Sequence, residues 1–139
     1  MQNVSPLLTA HYRDKADHCF NAMKLLAEDV ASFRTGIGLL AVHSAISLND
    51  AILVGITGKR GKGEDHQIAV RQLERICNEL KMENKKGVQY FSWLLSKKSD
   101  IAYGERRIED PVLMLSMDRA EKFVNWAYTQ FKEVLRAAE

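Results

Sequence analysis

The segment KKSDIAYGERRIED carries the side chains best suited to phosphate chemistry: Lys98, Tyr103, Arg106 and Arg107. On a helix, Lys98, Ala102 and Glu105 share one face and Ser99, Tyr103 and Arg106 share the next, because residues three and four apart are neighbours. Converging there, a lysine, a tyrosine and two arginines could hold a phosphodiester, offset its charge and move a proton. The competing reading is a charged helix end in which Asp100, Glu105, Glu109 and Asp110 pair with Lys97, Lys98, Arg106 and Arg107.

A second concentration of charge and glycine lies at Thr57–Gln67, TGKRGKGEDHQ. It is not a Walker-type phosphate loop. That loop needs G-x-x-x-x-G-K-[ST] after a strand, whereas here no Lys-Ser or Lys-Thr follows the glycines and the preceding segment reads as helix. Lys59, Arg60 and Lys62 stand just ahead of a helix N-terminus and could meet a phosphate there, with His66 at the exit of the loop. Glu64 and Asp65 occupy the place such an anion would take, so the alternative is a solvated hinge. The four histidines, His11, His18, His43 and His66, have no partner at metal-ligand spacing, and the sequence calls for no metal and no cofactor. His43, inside an apolar stretch, reads as a hydrogen-bonded core residue.

These clusters hang on a helical frame. Only two prolines occur, Pro6 and Pro111, and the runs between them have 3.6-residue periodicity. Tyr12, Ala16, Cys19, Phe20, Met23, Leu26 and Val30 make the stripe of a first long helix. FRTGIGLLAVHSAISLNDAILVGI is nearly apolar, and its small residues suit a central helix. A third helix has Leu73, Ile76, Cys77 and Leu80 inward, with Glu64 and Asp65 favoured in its first turn by the helix dipole. A fourth, shorter helix begins at VQYFSWLL and ends near Tyr103–Gly104. Asp110-Pro111 marks a break, and the last helix runs from Ser116 as N-cap to about Ala137. Four to five helices with short connections predict an all-α antiparallel bundle.

Residues 1–139 suffice for one domain with a real core and not for two. A formal charge of +2 from 20 basic and 18 acidic residues lacks the excess of a dedicated duplex-binding protein, so any anion site must be local. No window approaches eighteen uninterrupted apolar residues and the N-terminus has no leader pattern, which points to a cytoplasmic protein away from the membrane. Cys19 and Cys77, without CxxC spacing, read as reduced core residues.

The order of these features resembles the HEPN superfamily of small helical bundles, associated with RNA cleavage, toxin–antitoxin systems and nucleotidyltransferase partners. The resemblance runs through HYRDKADHCFNAMKLLAED, AVHSAISLNDAIL, GKRGKGEDHQ and SKKSDIAYGERRIEDPVLMLSMDRAEKFVNWAYTQF. Active members carry Arg followed four to six residues later by His. At that place this chain has KSDIAY, with Lys98 for the arginine and Tyr103 for the histidine. Lysine lacks the guanidinium fork, and tyrosine is a poor proton acceptor at neutral pH. The resemblance therefore implies a homodimer that binds a nucleotide or RNA with weakened catalysis, Lys98, Asp100 and Tyr103 meeting their symmetry mates across a shared cleft. Arg106 would assist catalysis there, and Arg107, Lys59, Arg60, Lys62 and His66 would contact phosphate. A nucleotidyltransferase-type or antitoxin protein is the implied partner. Two other functions fit the residues: a metal-independent endoribonuclease or toxin, and a helical protein-interaction adaptor.

Overall fold

The computed structural model of the chain describes residues 2–3, 7–60 and 65–136, the side chains of residues 2, 3 and 60 excepted. The predicted all-α architecture is what it shows. Helix α1 (Leu8–Leu26) passes through a 3-10 turn at Ala27–Asp29 into α2 (Val30–Thr57). Helix α3 (His66–Glu79) follows, then α4 (Lys86–Tyr103), α5 (Asp110–Gln130) and a short α6 (Lys132–Arg136). Two-residue strands, β1 (Gln2–Asn3) and β2 (Lys59–Arg60), pair antiparallel, with Gln2 opposite Arg60 and Asn3 opposite Lys59.

Helix α2 is the centre. Ile37, Ala41, Val42, Ala45, Leu48, Ala51, Ile52 and Val54 are all buried, and the helix touches α1, α3, α4, α5 and α6. Its composition is the reason: alanine and serine at successive inward positions let neighbours approach from several sides, and the buried Ser44 hydroxyl donates to the Ala41 carbonyl at 2.8 Å. The most apolar window of α1–α2 would pass for a membrane span by length and composition, and 72% of it is buried inside the fold. The α1–α2 pair is antiparallel, with Thr9 beside Gly55 and Leu26 beside Gly36. Asp29 caps the start of α2 by accepting from the Ser32 N–H, and Phe33 then breaks the helical dihedrals, so the chain reverses in a few residues.

An aromatic ladder fastens α4 to α5. Phe91 stacks on Phe123 with ring centroids 5.2 Å apart, Phe123 stacks on Trp126, and Trp126 meets Phe131 edge to face. The Trp126 indole N–H donates to the Asn84 carbonyl at 2.9 Å, which satisfies the one polar atom of a buried ring. Gly87 is what lets the ring lie there, since a Cβ at that position would come within 2.0 Å of it. On the far side, the Tyr128 hydroxyl donates to Asp17 at 2.6 Å and ties α5 to α1. Burial, then the carboxylate, raises the Tyr128 pKa, so the phenol remains protonated.

Two sequence-based expectations change. The last long helix starts at Asp110, with Pro111 in its first turn, and not at Ser116. Proline fits there because its missing N–H would have no intrahelical partner. Ser116 is buried one and a half turns inside and donates to the Val112 carbonyl at 2.8 Å. The helix also does not run unbroken toward Ala137: Phe131 leaves helical dihedrals and α6 resumes after it. Ala137 itself lies outside the described residues. Cys77 is buried and Cys19 half-buried, both free thiols, and burial raises the pKa of each.

The Gly87–Trp126 contact supplies a stability prediction. Gly87→Ala should destabilise the protein by about 1–3 kcal/mol through overpacking, read as a lower urea midpoint with altered Trp126 fluorescence. An unchanged midpoint would contradict the close approach.

Candidate functional site: a basic cleft between three helices

The C-terminal turn of α4 has a cleft on either side. One, of about 410 Å³, is lined by Leu39, Val42 and His43 of α2, His66 of α3, and Lys98, Ser99, Ala102 and Tyr103 of α4. Each helix delivers its residues by spacing. Lys98 and Ala102 are four apart, as are Ser99 and Tyr103, so the α4 face read from the sequence is the face that lines the cleft. Helix α4 then stops: the Gly104 N–H bonds back to the Asp100 carbonyl at 3.0 Å and the chain turns extended. His66 is the first residue of α3, placed by Asp65, whose carboxylate accepts from the Gln67 and Ile68 N–H groups at 2.9 and 3.2 Å.

None of the eight lining side chains among the described residues is acidic. Lys98 and His66 are half-buried, while Tyr103 is 84% exposed and therefore no half-buried core aromatic. His43 departs most from its sequence reading. It is not a core residue but an exposed one that opens onto the cleft. Partial burial, first, and the ammonium groups of Lys98 and Lys15, next, push its pKa below the usual imidazole value. At neutral pH it is an uncharged imidazole beside a lysine, able to accept a hydrogen bond or a proton.

The second cleft, also about 410 Å³, takes the other predicted residues. Asp100, Arg106 and Arg107 line it together with Lys97, Glu105 and Glu109 over an apolar floor that includes Ile101, Ile108 and Val112. Three cations face three carboxylates there. The sequence reading placed Glu105 and Arg106 on the faces of Lys98 and Tyr103; the end of α4 at Tyr103 separates them. Arg34 at the start of α2 holds this connection. It donates to the Ile108 carbonyl and pairs with Asp110 at 2.7 Å, its own side chain only 13% exposed. Arg107 reaches Asp110 at 3.9 Å.

The glycine-rich segment contributes less. Gly58 caps α2 with φ of 70°, the left-handed conformation that glycine adopts without strain, and its N–H bonds to the Val54 carbonyl. Lys59 pairs with Asn3 in the ladder, its N–H also meeting the Thr57 hydroxyl at 3.1 Å, and lines neither cleft. The Arg60 side chain, Lys62 and Glu64 lie outside the described residues. Among the described residues of this segment, His66 reaches the cleft with Lys98 and Tyr103 and Lys59 does not.

Against known proteins, no family model matches the chain and no curated protein matches it. The chemistry of the cleft is thus the ground for a functional reading. Lys98 supplies a point charge, His43 and His66 two ring-nitrogen partners, and Tyr103 an exposed phenol and ring face, a set suited to a phosphate ester.

The electrostatic coupling is directly measurable. In Lys98→Met the His43 pKa should move up toward its ordinary value, because a neighbouring positive charge that disfavours the imidazolium is gone. Histidine side-chain NMR titration of the two proteins checks this, and an unmoved midpoint would separate His43 from Lys98.

Proposed function

We propose that this protein is a HEPN-like helical module that binds the phosphate of a nucleotide or of an RNA strand in the α2–α3–α4 cleft. The supporting observation is the convergence of Lys98, His43, His66 and Tyr103 from three helices on one cleft with no acid among its described lining residues. Lys98 meets the phosphate oxygens, the imidazoles donate or accept at its edge, and Tyr103 stacks against a base or sugar. The HEPN-like reading carries with it a homodimer with its polar motifs facing across the axis, a cytoplasmic setting, and a nucleotidyltransferase-type or antitoxin partner.

Binding of a fluorescent oligouridylate, followed by anisotropy, tests this. A charge-assisted contact is worth roughly 1.5–3 kcal/mol, so Lys98→Ala should weaken binding about 10- to 100-fold. Arg106→Ala, on the other side of α4, should change it much less. An affinity indifferent to Lys98→Ala would refute the site.

The pH dependence has a definite sign. His43 is neutral in the free protein because its pKa is lowered. A bound phosphate favours its charged form, so binding takes up a proton and tightens as pH falls toward the His43 pKa. Above the pKa of the complex, affinity should level off. His43→Gln should flatten the profile between these limits.

A second reading, metal-independent RNA cleavage, is favoured by the neutral His43 beside Lys98. His43 would accept the ribose 2′-hydroxyl proton as that oxygen attacks the phosphorus, and His66, on the facing wall, would be the donor of a proton to the departing 5′-oxygen. Incubation of the oligonucleotide with protein in EDTA decides it. Cleavage present in the parent protein and lost in His43→Gln supports the enzyme; binding with an intact strand leaves the binding module. A helical adaptor would bind neither nucleotide nor strand.

A further inference from the structure

The cleft does not end at His43. There the less buried stripe of α2, Leu39, His43, Ile46 and Asp50, is the floor of a trough whose banks are α1 on one side and α4, with the start of α3, on the other. Among the described residues α1 packs along α2 without touching α3 or α4, so the trough separates them. Two contacts fix which flank of α1 makes the bank. Arg13 donates to the Leu135 carbonyl of α6 at 3.2 Å and Asp17 accepts from the Tyr128 hydroxyl of α5 at 2.6 Å, which turns their flank away from the trough. Lys15 and Cys19, four apart, stand on the opposite flank. The antiparallel register, with Thr9 at Gly55 and Leu26 at Gly36, sets them level with the stretch from His43 to Asn49.

Lys15 is exposed and, among the described residues, belongs to no ion pair. Its ammonium group acts together with that of Lys98 against the His43 imidazolium, and it also opposes the upward shift of the Cys19 thiol. His43 thus lies between two cations carried by helices that do not touch. A phosphate seated against Lys98 on the α4 bank leaves Lys15 for an anion on the far side of the trough. Asp50, the carboxylate of the floor, stands nearly two turns along α2 from His43, so a polyanion meets less acid by crossing at His43 than by following the floor. We infer that the ligand of this site is a single strand with consecutive phosphates, not a mononucleotide: it crosses α2 at His43 with one phosphate at Lys98 and a neighbouring one at Lys15. This rests on the phosphate-binding reading above and narrows its ligand class. Both lysines act on the backbone as point charges, so the crossing itself carries no base preference.

Two probes near neutral pH test it: the fluorescent oligouridylate, followed by anisotropy over a range of salt concentrations, and uridine 5′-monophosphate, followed by the His43 side-chain NMR signals. Alanine suits an exposed helix position, so Lys15→Ala should stay folded. It should weaken the oligouridylate about three- to tenfold. The slope of log affinity against log salt should become shallower by about 0.7, the loss of one strand phosphate contact. Uridine monophosphate should bind Lys15→Ala within about twofold of the parent, because an exposed charge beyond its single phosphate is largely screened. Lys15→Arg, which keeps the charge, should retain the parent slope. An oligouridylate affinity and slope indifferent to Lys15→Ala, with Lys98→Ala still weakening binding, overturns the crossing and leaves the binding site standing. Equal losses for both probes in Lys15→Ala also overturn it, since Lys15 would then act on the phosphate at Lys98. Absence of Lys98-dependent binding by either probe removes the phosphate reading and the crossing with it.

Discussion

Everything in this fold depends on keeping α2 covered. An almost wholly apolar helix of 28 residues has to find neighbours on nearly every side, and α1, α4, α5 and α6 provide them. Small residues along α2 permit the close approach, while the Phe91–Phe123–Trp126 ladder holds α4 and α5 together as one wall of the enclosure. The hydrophobic effect thus sets the topology, and the hydrogen bonds at Tyr128–Asp17 and Trp126–Asn84 satisfy polar groups that burial would otherwise leave costly.

The candidate site is where that coverage is incomplete. Leu39, His43, Ile46 and Asp50 form a stripe of α2 that is less buried than its other faces. Helix α3 lies against α4 more than against α2, so a gap opens between its first turn and the middle of α2. A gap whose described lining has a lysine and two histidines and no carboxylate favours an anion more than the near-neutral whole chain does. The neighbouring groove shows the contrast. It is equally large, but its six charged residues cancel.

Much of the fold was legible. Periodicity located α1 through α4 and the end of α4 at Tyr103, and the α4 face carrying Lys98, Ser99, Ala102 and Tyr103 is the face that lines the cleft. The start of α5 was misplaced because Asp110-Pro111 reads equally as a break and as a helix opening; Ser116 attracted the N-cap assignment by residue type alone. His43 was misjudged because an apolar neighbourhood in sequence was equated with burial. A signal was present, however: between Gly36 and Thr57 the ionisable residues are His43 and Asp50, seven apart and so on one helix face, the face α2 leaves partly open.

The sequence by itself determined the helices and which side of each is apolar, because those follow from spacing along one chain. It also named Lys98, Tyr103 and His66 as residues fit for phosphate contact. Which of them meet was decided only by the tertiary structure. Asp100 faces the opposite groove from within α4, the end of that helix at Tyr103 sends Arg106 there too, and α3 packs so that His66 joins His43 and Lys98. Such meetings depend on how helices far apart in sequence are set side by side, a property of packing that the pattern along any single helix does not contain.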